Sequence, residues 1–138
     1  EAYFVDFAMA MQEKVSIPLM VTGGFRLRAA MEQAIAGGGA DLVGLGRPMC
    51  VMTDAPAQLL AGLDELPRYE NQLSLLPPWL SFLNRVKAIR PLTIFAVMYW
   101  YYAQLEEIGL HGKPQPSMSV FAATKRVMSQ QKRVLAAR

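Results

Sequence analysis

Apolar residues near the start of the chain recur at helical steps. Phe4, Phe7, Ala8, Met11 and Val15 share one face, with Asp6, Glu13 and Lys14 mostly off it, so the spacing predicts a helix over residues 3–15. Ser16-Ile17-Pro18 breaks that pattern, because Pro18 drives Ile17 towards extended geometry. Leu19-Met20-Val21-Thr22 then reads as a short strand closed by Gly23-Gly24. Residues 27–36 read as a second helix, with Ala30, Met31, Ala34 and Ile35 on one side and Arg28, Glu32 and Gln33 elsewhere. Gly37-Gly38-Gly39 ends it with the positive φ that helix C-termini use. Asp41-Leu42-Val43-Gly44-Leu45 is a second apolar strand, stopped by Gly46-Arg47-Pro48. Short apolar strands joined through a helix are the pattern of a parallel sheet covered on both faces. Two strands do not make a stable sheet alone, so the pattern asks for further strands.

From Ala55 the character changes. Ala57 to Leu63 reads as a short helix, followed by a stretch punctuated by Pro67, Pro77 and Pro78. Helices are predicted over 79–90 and 92–108, divided at Pro91, with a loop over 109–116 that contains Gly109, Gly112, Pro114 and Pro116. A last helix spans 117–137, with Val120, Phe121, Thr124, Val127, Met128, Leu135 and Ala136 as its inward positions. No further strand and no repeat of fixed period is evident.

Length and composition narrow the function classes. The chain has 138 residues, 53% of them hydrophobic, which is the profile of a globular chain and not of a disordered one. A complete (β/α)8 barrel usually needs about 250 residues, so a barrel reading implies a piece of one. The single cysteine, Cys50, excludes a disulfide scaffold, a zinc finger and a multi-cysteine cluster. A net charge of +3 is no argument for nucleic acid. Its distribution is uneven: after Glu107, the last acid, come Lys113, Lys125, Arg126, Lys132, Arg133 and Arg138. A solvated basic helix face is the preferred reading over a phosphate or acidic-partner contact. The charge-free run from Leu92 to Leu105 is shorter than the roughly 18 residues a membrane span needs, and reads as a buried helix. Its cluster Tyr99-Trp100-Tyr101-Tyr102 is expected to pack on the barrel or on a partner subunit, which leaves a homo-oligomer through the C-terminal helices open. No secretory leader pattern opens the chain, and a cytoplasmic location is expected.

Two glycine loops carry the candidate chemistry. Thr22-Gly23-Gly24-Phe25-Arg26 and Gly44-Leu45-Gly46-Arg47-Pro48 each follow a predicted strand, which puts both at the C-terminal edge of a parallel sheet. In barrels of this kind the loops after the last two strands often form a phosphate site. Glycine lets the backbone approach an anion, and Arg47 adds a charged fork matched to phosphate oxygens. Each loop alone reads more readily as a tight turn; the pair, one crossover apart, carries the signal. Other polar residues invite plainer readings. His111 reads as a solvated loop histidine with no acid nearby, Asp41 as a cap at the opposite edge, and Cys50 as a small buried apolar group. No catalytic and no metal-binding residue is assigned.

Glu1-Ala2-Tyr3-Phe4, Pro18 to Arg26 and Asp41 to Pro48 together resemble the C-terminal part of the Old Yellow Enzyme family, FMN-dependent NAD(P)H:flavin oxidoreductases and ene-reductases on a TIM barrel. The resemblance covers residues 1–62; the segment Tyr99 to Leu105 resembles a helical tail of some members less closely. It implies an α/β fold class: strands seven and eight of a (β/α)8 barrel over residues 1–62, then a helical extension over 63–138. It also implies FMN as cofactor, NADH or NADPH as reductant, and an activated alkene or other small electron acceptor as substrate. By the same resemblance Gly23 and Gly24 contact the FMN phosphate through backbone, Gly46 and Arg47 complete that site, and Phe25 lies near the flavin edge or fills the barrel mouth. Arg26 is expected in an exposed loop without a role. The family's substrate-anchoring pair and proton-donating tyrosine lie on earlier strands that these residues do not supply. Gly37-Gly38-Gly39 is richer in glycine than the family pattern, and the cysteine cluster of the longer iron–sulfur relatives is absent. The residues themselves leave two alternatives open: a phosphate-binding barrel enzyme without redox chemistry, and a helical module docking on membrane or protein.

Overall fold

A computed structural model describes residues 3–76 and 89–136. It forms two compact units, Glu1–Arg68 and Tyr69–Arg138.

The first unit follows the order α1 (Val5–Gln12), β1 (Met20–Thr22), α2 (Arg28–Ala36), β2 (Leu42–Gly44), a 3-10 turn (Arg47–Cys50) and α3 (Ala55–Leu60). β1 and β2 pair in parallel, with Met20 opposite Leu42, Val21 opposite Val43 and Thr22 opposite Gly44. α2 is the crossover that a parallel pair requires. The α/β class and the helix–strand–helix–strand order therefore stand. The described residues contain this two-stranded sheet, not a closed barrel.

The core lies on one face of the sheet. Val21, Phe25, Met31, Ala34, Ala40, Ala55, Leu59 and Leu66 are buried together with Ala8. On the other face Met20 and Leu42 are 65% and 57% exposed. Period-two alternation places these two opposite Val21 and Val43, and no described element covers them. α1 is shorter than its apolar spacing predicts and buries only Ala8, leaving Phe4 and Phe7 exposed. At its end the Lys14 and Val15 N–H groups both turn back to the Met11 carbonyl, at 2.8 and 3.2 Å. Asp41 closes the N-terminal edge of the sheet, where its carboxylate accepts hydrogen bonds from Leu19 N–H (2.8 Å) and Gln12 Nε2 (3.0 Å).

Packing of this unit continues past Gly62. Arg28 N–H donates to the Asp64 carbonyl and Leu66 N–H to the Arg26 carbonyl, both at 2.8 Å, around an antiparallel bridge between Leu27 and Glu65. Leu66 is fully buried there. Residues 63–68 thus pack with the first unit, and the resemblance covers residues 1–62 of it.

The second unit contains a 3-10 turn (Tyr69–Asn71), α4 (Ile89–His111) and α5 (Val120–Ala136). α4 runs through Pro91 instead of starting after it. Pro91 is the third described residue of α4, near an end where proline is tolerated. The predicted helix over 79–90 falls almost wholly outside the described residues. At its other end α4 takes Gly109 into the helix and stops at Gly112, whose φ is +71° and whose N–H reaches the Ile108 carbonyl at 2.9 Å. The predicted loop over 109–116 accordingly begins later.

The small residues Ala103 and Ala123 are fully buried where α4 packs on α5. Trp100, 1% exposed, donates its indole N–H to the Met118 carbonyl at 2.7 Å, and Gln104 accepts from Gln115 N–H at 2.7 Å. α5 buries Val120, Ala123 and Val127. Phe121, Met128 and Leu135, predicted to face inward, are exposed, because α4 takes the adjoining strip of the helix and no second described element flanks it. Arg126 is offset by two carboxylates across the pair. Its Nε lies 2.8 Å from Glu106, and its Nη1 pairs with Glu107. These bonds hold its guanidinium pKa above the ordinary value, the Glu107 hydrogen bond most of all. The fourfold basic stretch Lys125, Arg126, Lys132 and Arg133 is thus partly neutralised by α4. Among the described residues no helix is long and apolar enough to cross a membrane.

Candidate functional site

The parallel register decides where the two glycine loops lie. Thr22 and Gly44 are opposite each other at the ends of β1 and β2, so Gly23-Gly24 and Gly46-Arg47 leave the sheet from the same edge. Both glycines of the first loop need their freedom: φ is +141° at Gly23 and +73° at Gly24, backbone that L side chains rarely adopt. Each is half-buried. Gly46 in the second loop has φ −101° and ψ −96° and is exposed; a Cβ there would meet no atom within 4 Å. Its backbone is therefore open to approach. Arg47 is exposed and begins the 3-10 turn, which buried Pro48 and half-buried Met49 anchor to the body of the unit.

Phe25 lies differently from these four. It is 1% exposed, with its ring in the core of the first unit. Arg26 departs from expectation. It is 4% exposed rather than in an exposed loop, and its Nη1 donates to the Phe25 carbonyl at 2.8 Å. Its own carbonyl holds Leu66, a contact forty residues along the chain that no local pattern around Arg26 announces.

Asp41 is a cap at the N-terminal edge, and its carboxyl is held below the ordinary carboxylate range, first by the Leu19 N–H and then by Gln12, against a smaller opposing effect of desolvation. Cys50 is half-buried in the 3-10 turn, and burial pushes its thiol up, away from thiolate chemistry. His111 closes α4 rather than lying in a loop, and its Nε2 is 3.7 Å from Glu107, an acid one turn back on the same helix. No group of three metal-ligating side chains occurs among the described residues.

Comparison with known proteins adds a lineage. Over 52 residues, 37% of the chain, it is 56% identical to the NADH-dependent flavin oxidoreductase iliE of Neonectria sp. (strain DH2) and covers 7% of that protein. It is 48% identical over 52 residues to the protein of the same name from Hypocrea jecorina (strain QM6a), covering 13% of it. A longer match, 29% identical over 114 residues or 82% of the chain, joins it to the NADH-dependent flavin oxidoreductase iccE of Talaromyces variabilis and covers 28% of that protein. The matched residues thus span 7%, 13% and 28% of these relatives, less than a third of each. No protein-family profile and no solved structure matches it. All three matched relatives bear the name NADH-dependent flavin oxidoreductase.

Proposed function

From this kinship with Old Yellow Enzyme-like flavin oxidoreductases we propose that the first unit is the phosphate-anchoring corner of an FMN-dependent NAD(P)H oxidoreductase. In this reading β1 and β2 are the seventh and eighth strands of a (β/α)8 barrel, and the helices of the second unit are its C-terminal extension. The observation that carries it is the parallel register, which brings Gly23-Gly24 and Gly46-Arg47 to one sheet edge.

The residues present suit a phosphate group. An unencumbered Gly46 leaves backbone open to an anion, the exposed Arg47 stands beside it, and two consecutive positive-φ glycines leave the sheet at the same edge. Gly23, Gly24 and Gly46 would hold the phosphate through backbone N–H groups, and Arg47 through its charge and its fork of donors. Phe25 would act from the core side by fixing where the first loop leaves β1. When bound, the flavin would supply hydride transfer from NADH or NADPH to a small electron-poor acceptor such as an activated alkene. This chain's share is to bind and orient the cofactor. Proton donation and substrate anchoring belong to strands outside it, so the chain alone is expected to hold flavin weakly and to turn nothing over.

Arg47→Ala in the flavin-loaded protein tests the assignment. A hydrogen bond to a charged group contributes about 1.5–3 kcal/mol, so FMN affinity should fall roughly ten- to hundredfold. Absorbance of flavin released from equal amounts of purified protein reads the loss. Unchanged flavin content in Arg47→Ala would remove the phosphate site from this edge.

A further inference from the structure

Gly24 excludes a side chain for two separate reasons. Its φ of +73° is one. The other is Tyr3: a Cβ at Gly24 would lie 2.5 Å from Tyr3 Cε2 and 2.8 Å from Cδ2, closer than real Cβ atoms come. The neighbouring ring repeats the arrangement, with a Cβ at Gly23 falling 3.0 Å from Phe4 Cδ2. Two consecutive aromatic rings therefore lie against the bare side of two consecutive glycines.

Burial does not account for this placement. Tyr3 and Phe4 remain 74% and 57% exposed, while Ala8 and partly Val5 supply the contribution of α1 to the core. The segment carrying the rings is itself held, since the Phe4 carbonyl accepts the Ala8 N–H at 2.9 Å. Glycine pairs lose more backbone freedom on ordering than any other dipeptide, and a ligand that must order them binds more weakly for it. A wall that restricts the turn beforehand removes part of that cost.

We propose that Tyr3, with Phe4 beside it, is a positioning residue for the Gly23-Gly24 turn, holding the two positive-φ peptides ready for the phosphate of the cofactor. The proposal rests on the phosphate-anchoring reading above. It requires the ring of Tyr3, because the three atoms nearest the place a Cβ at Gly24 would take are the ring carbons Cε2, Cδ2 and Cζ.

The test compares FMN with riboflavin, which lacks the phosphate, as ligands of the apoprotein obtained by stripping flavin from the loaded protein, followed by quenching of flavin fluorescence. Tyr3→Ala should reduce the preference for FMN over riboflavin about tenfold, the effect of freeing roughly one backbone unit. Tyr3→Phe should keep it. General damage to the fold weakens both ligands and leaves their ratio alone, so the ratio reports the turn. Gly24→Ala supplies a second measure. Its loss of FMN affinity should be smaller in a Tyr3→Ala background, where the collision with the ring is gone and only the φ strain remains. Strictly additive losses, or a ratio unmoved by Tyr3→Ala while Arg47→Ala lowers it, would overturn the role of Tyr3 and leave the phosphate site standing. A ratio unmoved by Arg47→Ala as well would overturn both.

Discussion

Asp41 and Leu19 show how one carboxylate can set the pH response of a small unit. The Asp41 carboxyl titrates below its unfolded value because two N–H donors prefer its ionised form. Its contribution is therefore complete above the unfolded carboxylate range and is lost as pH falls through the depressed native value. Asp41→Asn should flatten the acid side of the stability profile, read as the urea midpoint across about pH 2 to 6. A variant with the same acid slope as the parent would assign that slope to other carboxylates. At this scale the glycines were the legible part. Gly23 and Gly24 announce a turn after a strand because few other residues tolerate such backbone, and the structure gives both positive φ. Arg26 was not legible: it is buried, and its carbonyl is bound by the Leu66 N–H, a contact forty residues away of which a sequence window holds no record.

Helices and strands were readable from spacing, but the side they bury was readable only where a neighbour was implied. The order α1, β1, α2, β2 follows from periodicity and glycine punctuation. For α5 the spacing admits several apolar strips, and the choice falls to the strip that meets the small residues of α4, leaving Phe121 and Met128 outside. Pro91 misleads for a related reason. A proline breaks a helix in its interior but suits its first turn, and the pattern alone does not say which turn it occupies. The start of α5 is set locally: Ser119 Oγ accepts the Ala122 N–H at 3.2 Å, three residues into the helix. Ser119→Ala should cost about 1 kcal/mol, measured by thermal or urea unfolding. A change below a few tenths would mean that packing of Val120 and Trp100 sets this helix start without the cap.

At the scale of the whole molecule the two-stranded sheet is the informative object. Its outward face presents Met20 and Leu42 as neighbours, an arrangement that further strands would bury. Leu42→Ser separates the possibilities. In this chain alone, where Leu42 is 57% exposed, the change should stay within about 0.5 kcal/mol. In the flavin-loaded protein, with a complete barrel around it, the same change should cost about 2–5 kcal/mol and lower flavin retention. Equal, small effects in both settings would count against the barrel.

The strand-like return at Leu27 and Glu65 also bears on how such a piece could be transplanted. On the barrel reading proposed above, a chimaera that joins six strands of another flavin barrel to β1 and β2 of this chain has to choose a stopping point. Ending at Gly62 would discard Leu66 from the core and leave the Arg26 carbonyl and the Arg28 N–H, both tied to residues 64–66, without their partners. Ending at Arg68 keeps that clasp intact, and with it the exit of the Gly23-Gly24 turn that Phe25 anchors. The natural exchange unit therefore extends past α3 to Arg68.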